Sequence, residues 1–147
     1  MYCGSFPKTI NVQLDAHARM PTRAHETDAG LDLYTRESFT IPAHRSACID
    51  TGVHIELPKG TFGKIESKSG LNVKHDVVSC GGVIDEGYTG SIVVKLYNLG
   101  EKDYIFHLGE KIAQLVIIPC MYVGCKVVEE LDNDTERQAN GFGSSGK

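Results

Sequence analysis

Asp85 stands in Gly81-Gly82-Val83-Ile84-Asp85-Glu86-Gly87-Tyr88-Thr89-Gly90, a carboxylate beside apolar residues between two glycine-bounded turns. Such a group can act as a base or orient a water; the alternative is a turn acid bonded to its own backbone. The glycines predict a tight β-hairpin. Asp32 lies between two leucines in Asp28-Ala29-Gly30-Leu31-Asp32-Leu33. Strand propensity disfavours aspartate there, so it is either an outward-facing acid or a carboxylate that helps hold Mg²⁺ through its waters. Ser67-Lys68-Ser69-Gly70-Leu71 sets small hydroxyls beside a cation and a glycine. That composition suits a turn or helix start whose N–H groups cradle phosphate, and it is also ordinary loop composition. Gln114 interrupts the apolar run of Gly109-Glu110-Lys111-Ile112-Ala113-Gln114-Leu115. A buried amide left unpaired costs roughly 1–3 kcal/mol, so it is paired in the core or aimed at a ligand. Arg137 and then Gly141-Phe142-Gly143-Ser144-Ser145-Gly146 bring a cation, a ring and many N–H and O–H donors. Together they can clamp a nucleoside triphosphate; singly they are the composition of a solvated tail.

These groups must be positioned by short strands. Apolar residues alternate at Ile10, Val12 and Leu14, and at Ile49, Val53 and Ile55 with a break at Thr51-Gly52. Ile92, Val94 and Leu96 repeat the pattern, with Val93 and Tyr97 on the opposite face. Ile112 to Ile118 is a nearly continuous apolar run closed by Pro119, and Tyr122 to Val128 is a further β-rich stretch. Turn signals such as Pro42, Pro58-Lys59-Gly60 and Leu108-Gly109 separate them. The expectation is an all-β sandwich or barrel over residues 1–130 with at most one short helix. Residues 131–147 are polar and glycine-rich, the composition of a flexible C-terminal arm, with Phe142 as its one aromatic residue.

The chain has 147 residues, of which 41% are hydrophobic, enough for one domain with a buried core. Fifteen lysines and arginines against 19 acids leave a net charge of −4. That balance argues against nucleic-acid polymer as a partner and leaves room for a small anion. No apolar run approaches the roughly 18 residues of a membrane helix, and Met1 to Thr9 lacks the apolar core of a secretion signal. The five cysteines are odd in number and show no CxxC pair. Reduced thiols in a cytoplasmic or nuclear, not secreted, protein are expected.

Order and spacing join the five segments. The chain resembles the trimeric dUTPase family, whose five motifs run here from Asp28 to Gly146. Gly-Val-Ile-Asp-x-x-Tyr-x-Gly, then Gly-[DE]-[RK]-Ile-Ala-Gln-Leu and a terminal Gly-Phe-Gly-Ser carry the resemblance, with Ile10 to Leu14 similar to the family's first strand. The resemblance implies a jelly roll, a homotrimer with three shared sites, and Mg²⁺-dependent hydrolysis of dUTP to dUMP and pyrophosphate by water attack at the α-phosphorus. It implies that Asp85 activates the water and meets the 3′-OH, and that Tyr88 packs under the deoxyribose. Main-chain groups near Gly82, Val83 and Val93 would read uracil. Lys68, Ser69, Gly70 and Gln114 would contact phosphates, and Asp32 would support the water shell of the metal. From the arm, Arg137 would grip the γ-phosphate, Phe142 would stack on uracil, and Gly143 and Ser144 would donate to phosphates.

The chain departs from the family pattern at Lys68, where arginine is usual, and at Thr89, where arginine commonly follows the tyrosine. Lysine keeps the charge and loses the bidentate fork. Gln138 replaces the glycine usual after Arg137, and Ser145 the usual threonine. The same superfamily holds dCTP deaminases, which need a glutamate five residues after the glycine ending the third motif; counting from Gly90, this chain has Lys95. A trimer that binds nucleotide without hydrolysing it would be expected to lack Asp85 or the arm, and both are present.

Overall fold

The computed structural model describes residues 7–132. Among these residues the chain forms eleven strands and one short helix, an all-β jelly-roll sandwich. Arg137, Phe142, Gly143, Ser144 and nearly all of the arm expected over 131–147 lie outside the described residues.

The largest sheet places β2 (Leu31–Tyr34), β11 (Lys111–Pro119), β6 (Thr61–Glu66) and β8 (Val83–Ile84) side by side in that order. A second sheet is ordered β4 (Ser46–Asp50), β9 (Val93–Asn98), β7 (Val77–Ser79). Two-stranded pairs, β1 (Val12–Leu14) with β5 (Val53–Ile55) and β3 (Phe39–Ile41) with β10 (Tyr104–Phe106), complete it. All the ladders are antiparallel.

Alternation dictates the core. Ile92, Val94 and Leu96 are buried while Val93 is exposed, as the period of two requires. They meet Leu33 and Leu115 of the larger sheet and Phe106 of β10 in one apolar cluster. The Thr51-Gly52 break separates β4 from β5, with Gly52 at φ 66°. β11 is an inner strand between β2 and β6, and Ile112, Ala113 and Leu115 of its apolar run are buried in the core. No helix among the described residues is long and apolar enough to cross a membrane.

One local expectation fails and another is met in part. Tyr122 to Val128 forms no strand and is exposed throughout. Strand propensity is realised only against a sheet edge, and no strand among the described residues pairs with this stretch after β11 ends at Pro119. The Gly81–Gly90 segment does connect an antiparallel pair, β7 with β9, but not as a tight turn: β8 within it leaves that sheet and pairs with β6 of the other.

Candidate active site

Gly82 launches the Asp85 turn. Its φ is 97°, and a Cβ there would stand 2.7 Å from that of Ile65, so only glycine lets the chain pass so close to β6. Its carbonyl accepts from the Ile65 N–H at 2.8 Å. β8 follows for two residues, and the turn closes where Tyr88 N–H donates to the Asp85 carbonyl at 3.1 Å. The Tyr88 hydroxyl donates to the Ser91 carbonyl at 3.1 Å. Asp85 is exposed and lines a mostly apolar hollow of about 670 Å³ with Phe62, Val83 and Tyr122. Val83, Tyr88 and Val93 are exposed by 64%, 45% and 50%, so three large apolar groups of this segment stay outside the core and open to a ligand. Beside Asp85, Glu86 accepts from the Gly60 N–H at 2.8 Å and from the Tyr122 hydroxyl, which fastens the turn to the start of β6.

The cationic segment forms at the other end of β6. Lys68 caps helix α1 (Ser69–His75) with extended backbone, φ −78° and ψ 124°, and Asn72 N–H returns to its carbonyl at 3.0 Å. Ser69 and Gly70 are exposed on its first turn. Gln114 on β11 donates to the Ser67 carbonyl at 3.0 Å and holds this loop against the sheet. Gly30 makes room for it, since a Cβ there would fall 2.3 Å from the Gln114 amide oxygen.

Asp32 is buried rather than outward-facing. Lys68 Nζ lies 2.5 Å from Oδ1 and Lys111 Nζ 2.7 Å from Oδ2. Burial raises its carboxyl, and the hydrogen bonds and charges of Lys111 and Lys68 more than offset that, so Asp32 is held below the ordinary carboxylate range. Lys111 is raised in turn by its bond to Asp32. Lys68, Lys74, His75, Tyr104 and Lys111 line a hollow of about 280 Å³, large enough for phosphate groups and rich in positive charge. Among the described residues no three His, Cys, Asp or Glu side chains group as a metal cage. The donor set fits a hydrated cation in one way only. Each Asp32 oxygen has a second lone pair after accepting from a lysine, and it can take a water of the metal.

Within one chain these halves are far apart. Register pairs Gly63 with Ile84 and Lys64 with Val83, so Asp85 continues opposite Phe62. From there β6 runs four residues further to Glu66, roughly 13 Å at about 3.3 Å per residue, and Lys68 stands two residues beyond its end. A single triphosphate does not span that distance. Each chain thus carries an apolar, carboxylate half with Asp85, Tyr88, Gly82, Val83 and Val93, and a cationic half with Lys68, Ser69, Gly70, Gln114 and Asp32. In the sequence Lys111 shows only as a cation in the segment that holds Gln114; its pairing with Asp32 appears with the fold. The anchoring by Glu86 had no signal beyond adjacency to Asp85.

The dUTPase family model matches residues 16–146. The rat deoxyuridine 5′-triphosphate nucleotidohydrolase is 42% identical over 136 residues, covering 92% of this chain and 66% of the rat protein, so the chain spans just under two thirds of that relative. A Staphylococcus bacteriophage 80alpha dUTPase solved with dUPNHPP matches at TM-score 0.91 and 34% identity, over 96% of this chain and 100% of that one. The dUTPase of Staphylococcus aureus phage phi11, whose structure describes the coordination of a structural Mg(II) ion, matches at TM-score 0.79 and 31% identity, over 84% of this chain and 99% of that one. A family match over most of the chain, joined to the same fold along the whole length of a solved relative, shows that this chain belongs to the dUTPase family, the hydrolases that convert dUTP to dUMP and pyrophosphate.

Proposed function

We propose that this chain carries out the family reaction, dUTP and water to dUMP and pyrophosphate, at sites built between the chains of a homotrimer. The observation that carries the shared site is the separation of Asp85 from Lys68 along β6. A second chain supplies the half that the first lacks, and the arm of a third, with Arg137, Phe142, Gly143 and Ser144, closes over the nucleotide. Exposed Val123 and Val127, without a strand partner among the described residues, suit packing against a neighbour.

Asp85 holds the water in line with the α-phosphorus and takes up part of its proton as the new O–P bond forms and the bond to the bridging oxygen breaks. Tyr88 fills the space under the deoxyribose where a 2′-OH would project. Main-chain groups of Gly82, Val83 and Val93 face the uracil edge; a pattern fitted to uracil opposes the amino group of cytosine, and unpaired buried groups make that rejection strong. Lys68, Ser69 and Gly70 receive the phosphates. Gln114 has a second amide N–H for a phosphate oxygen beside the one that holds Ser67. Mg²⁺ bound with the triphosphate would neutralise its oxygens, and Asp32, kept ionised by two lysines, would accept from the waters of the metal.

Pyrophosphate release in Mg²⁺ from dUTP, dCTP, dTTP and UTP tests the reaction. Release from dUTP alone is expected; equal release from UTP would remove Tyr88 from its role. Co-expression of Asp85→Asn chains with Lys68→Ala chains tests the shared site. Each variant alone should be nearly inactive, and mixed trimers should recover activity because some sites draw both intact halves. Failure to recover in confirmed mixed trimers would place each site within one chain.

A further inference from the structure

His54 is the middle residue of β5, opposite Gln13 of β1, and its side chain keeps only 22% of its exposure. Its ring bridges two elements. Nδ1 lies 2.7 Å from the carbonyl oxygen of Thr89, and Nε2 lies 3.2 Å from Oδ1 of Asp15. Neither partner atom can donate. A neutral imidazole has one N–H and one lone pair, so it serves only one of them; the imidazolium, with two N–H groups, serves both. The surroundings agree. Asp15 follows β1, and Arg36 joins it to Asp50 of β4, at 3.9 Å and 2.7 Å. Glu56, next along the chain beyond β5, is tied to Asn11 at 2.6 Å. The turn contributes Thr89 and Ser91, neither charged, and the Tyr88 phenol. The Thr89 carbonyl, the Asp15 carboxylate and the Asp50 charge together raise His54 above the ordinary histidine value, against a smaller opposing effect of burial.

The bridge touches the turn at a consequential place. Thr89 follows Tyr88, and a Cβ on the next residue, Gly90, would come within 2.4 Å of the Tyr88 hydroxyl, so the ring folds back over this short stretch. Asp50 accepts from the Ser91 hydroxyl, and the Ser91 carbonyl accepts from Tyr88. Residues 88–91 are therefore pinned from the β4 side by Asp50 and from the β5 side by His54.

We infer that His54 is a positioning residue for sugar selection: as an imidazolium it ties the Thr89 carbonyl to Asp15 and so fixes the Tyr88 ring where a 2′-OH would have to fit. Loss of one proton leaves one N–H for two acceptors. Either the turn is released or a nitrogen lone pair faces the Asp15 carboxylate, and the tie opens on one side. This rests on the reading of Tyr88 as the wall beneath the deoxyribose.

The experiment measures kcat/KM for dUTP and for UTP between about pH 6 and 9, using the ratio so that ionisation of the triphosphate cancels, alongside ¹⁵N titration of the His54 ring in the intact protein. His54 should titrate above about 6.5, and Asp15→Asn should lower that midpoint. The dUTP/UTP ratio should fall by about three- to tenfold as pH rises through it, the size of one modest hydrogen bond. His54→Gln should show the reduced ratio at every pH. A ring that titrates at or below about 6.5, or a ratio that stays flat across the ring's midpoint, overturns the inference. Tyr88→Ala separates the two readings. If it erases discrimination while His54→Gln leaves it intact, only the tie fails; if Tyr88→Ala leaves discrimination intact, the wall fails and the tie's role falls with it.

Discussion

Asp32 has lost nearly all contact with water and keeps its charge because two ammonium groups share its two oxygens. One pair alone would leave an oxygen short of a cation in a poorly solvated place. Lys111→Met should therefore cost about 1–3 kcal/mol of stability, read by urea unfolding at fixed protein concentration. Asp32 also carries an acid signature. Its folded carboxyl lies below its unfolded value, so its contribution is complete above about pH 3.9 and is lost as pH falls through the lower folded value. Asp32→Asn should flatten the acid limb of the stability curve below about pH 4; an unchanged limb would mean that the pairing contributes nothing. His54 works in the opposite sense: its folded value is raised, so its contribution is complete below about 6.5 and disappears as pH rises through that raised value.

The Asp85 turn and helix α1 use glycine for different reasons. Gly82 is forced by a φ of 97° and by the Ile65 side chain, 2.7 Å from where a Cβ would stand. Gly82→Ala should destabilise the fold by about 1–3 kcal/mol and lower kcat as well, because β8 and Asp85 must shift with it. Gly70 meets nothing within 4 Å of a built Cβ and has ordinary helical backbone. Gly70→Ala should leave stability unchanged or raise it by up to about 1 kcal/mol. Thermal melts of the two variants side by side check both signs. A destabilised Gly70→Ala would show that this loop packs against more than its own chain.

Across the whole molecule, the proposed trimer gives a partner to apolar side chains that the described residues leave exposed. Met121, Val123 and Val127 are exposed by 86%, 76% and 97% on a stretch without strand pairing among the described residues. Val123→Asp with Val127→Asp should lower the trimer fraction measured by light scattering while the β-sheet signal persists; an undisturbed trimer would place the contact elsewhere. Deleting Asn140 to Lys147 should leave the trimer intact and remove most turnover. Full activity in that truncation would sink closure by the arm.

Chemistry confined to a few consecutive residues was legible in the chain. Alternation at Ile92 to Tyr97 identified the faces of β9, and the Thr51-Gly52 break marked a real boundary between strands. The Gly82 turn and the short helix begun at Ser69 follow from φ preferences and from the absence of a sustained helical period, which are local properties. The Asp32 pairing was not legible, because Lys68 and Lys111 reach it only through the order β2, β11, β6. The Gly81–Gly90 segment closes the β7–β9 pair, as its turn composition suggests, but nothing in that composition marks the detour of β8 to β6. Nothing in the residues around His54 marks Thr89 or Asp15 as its partners, since β1, β5 and the turn meet only after folding. Residue order sets which groups are available and the local turns that present them. That Asp85 and Lys68 stand toward opposite ends of β6 follows from folding alone, because strand partners and register are settled by burying a common core between distant segments.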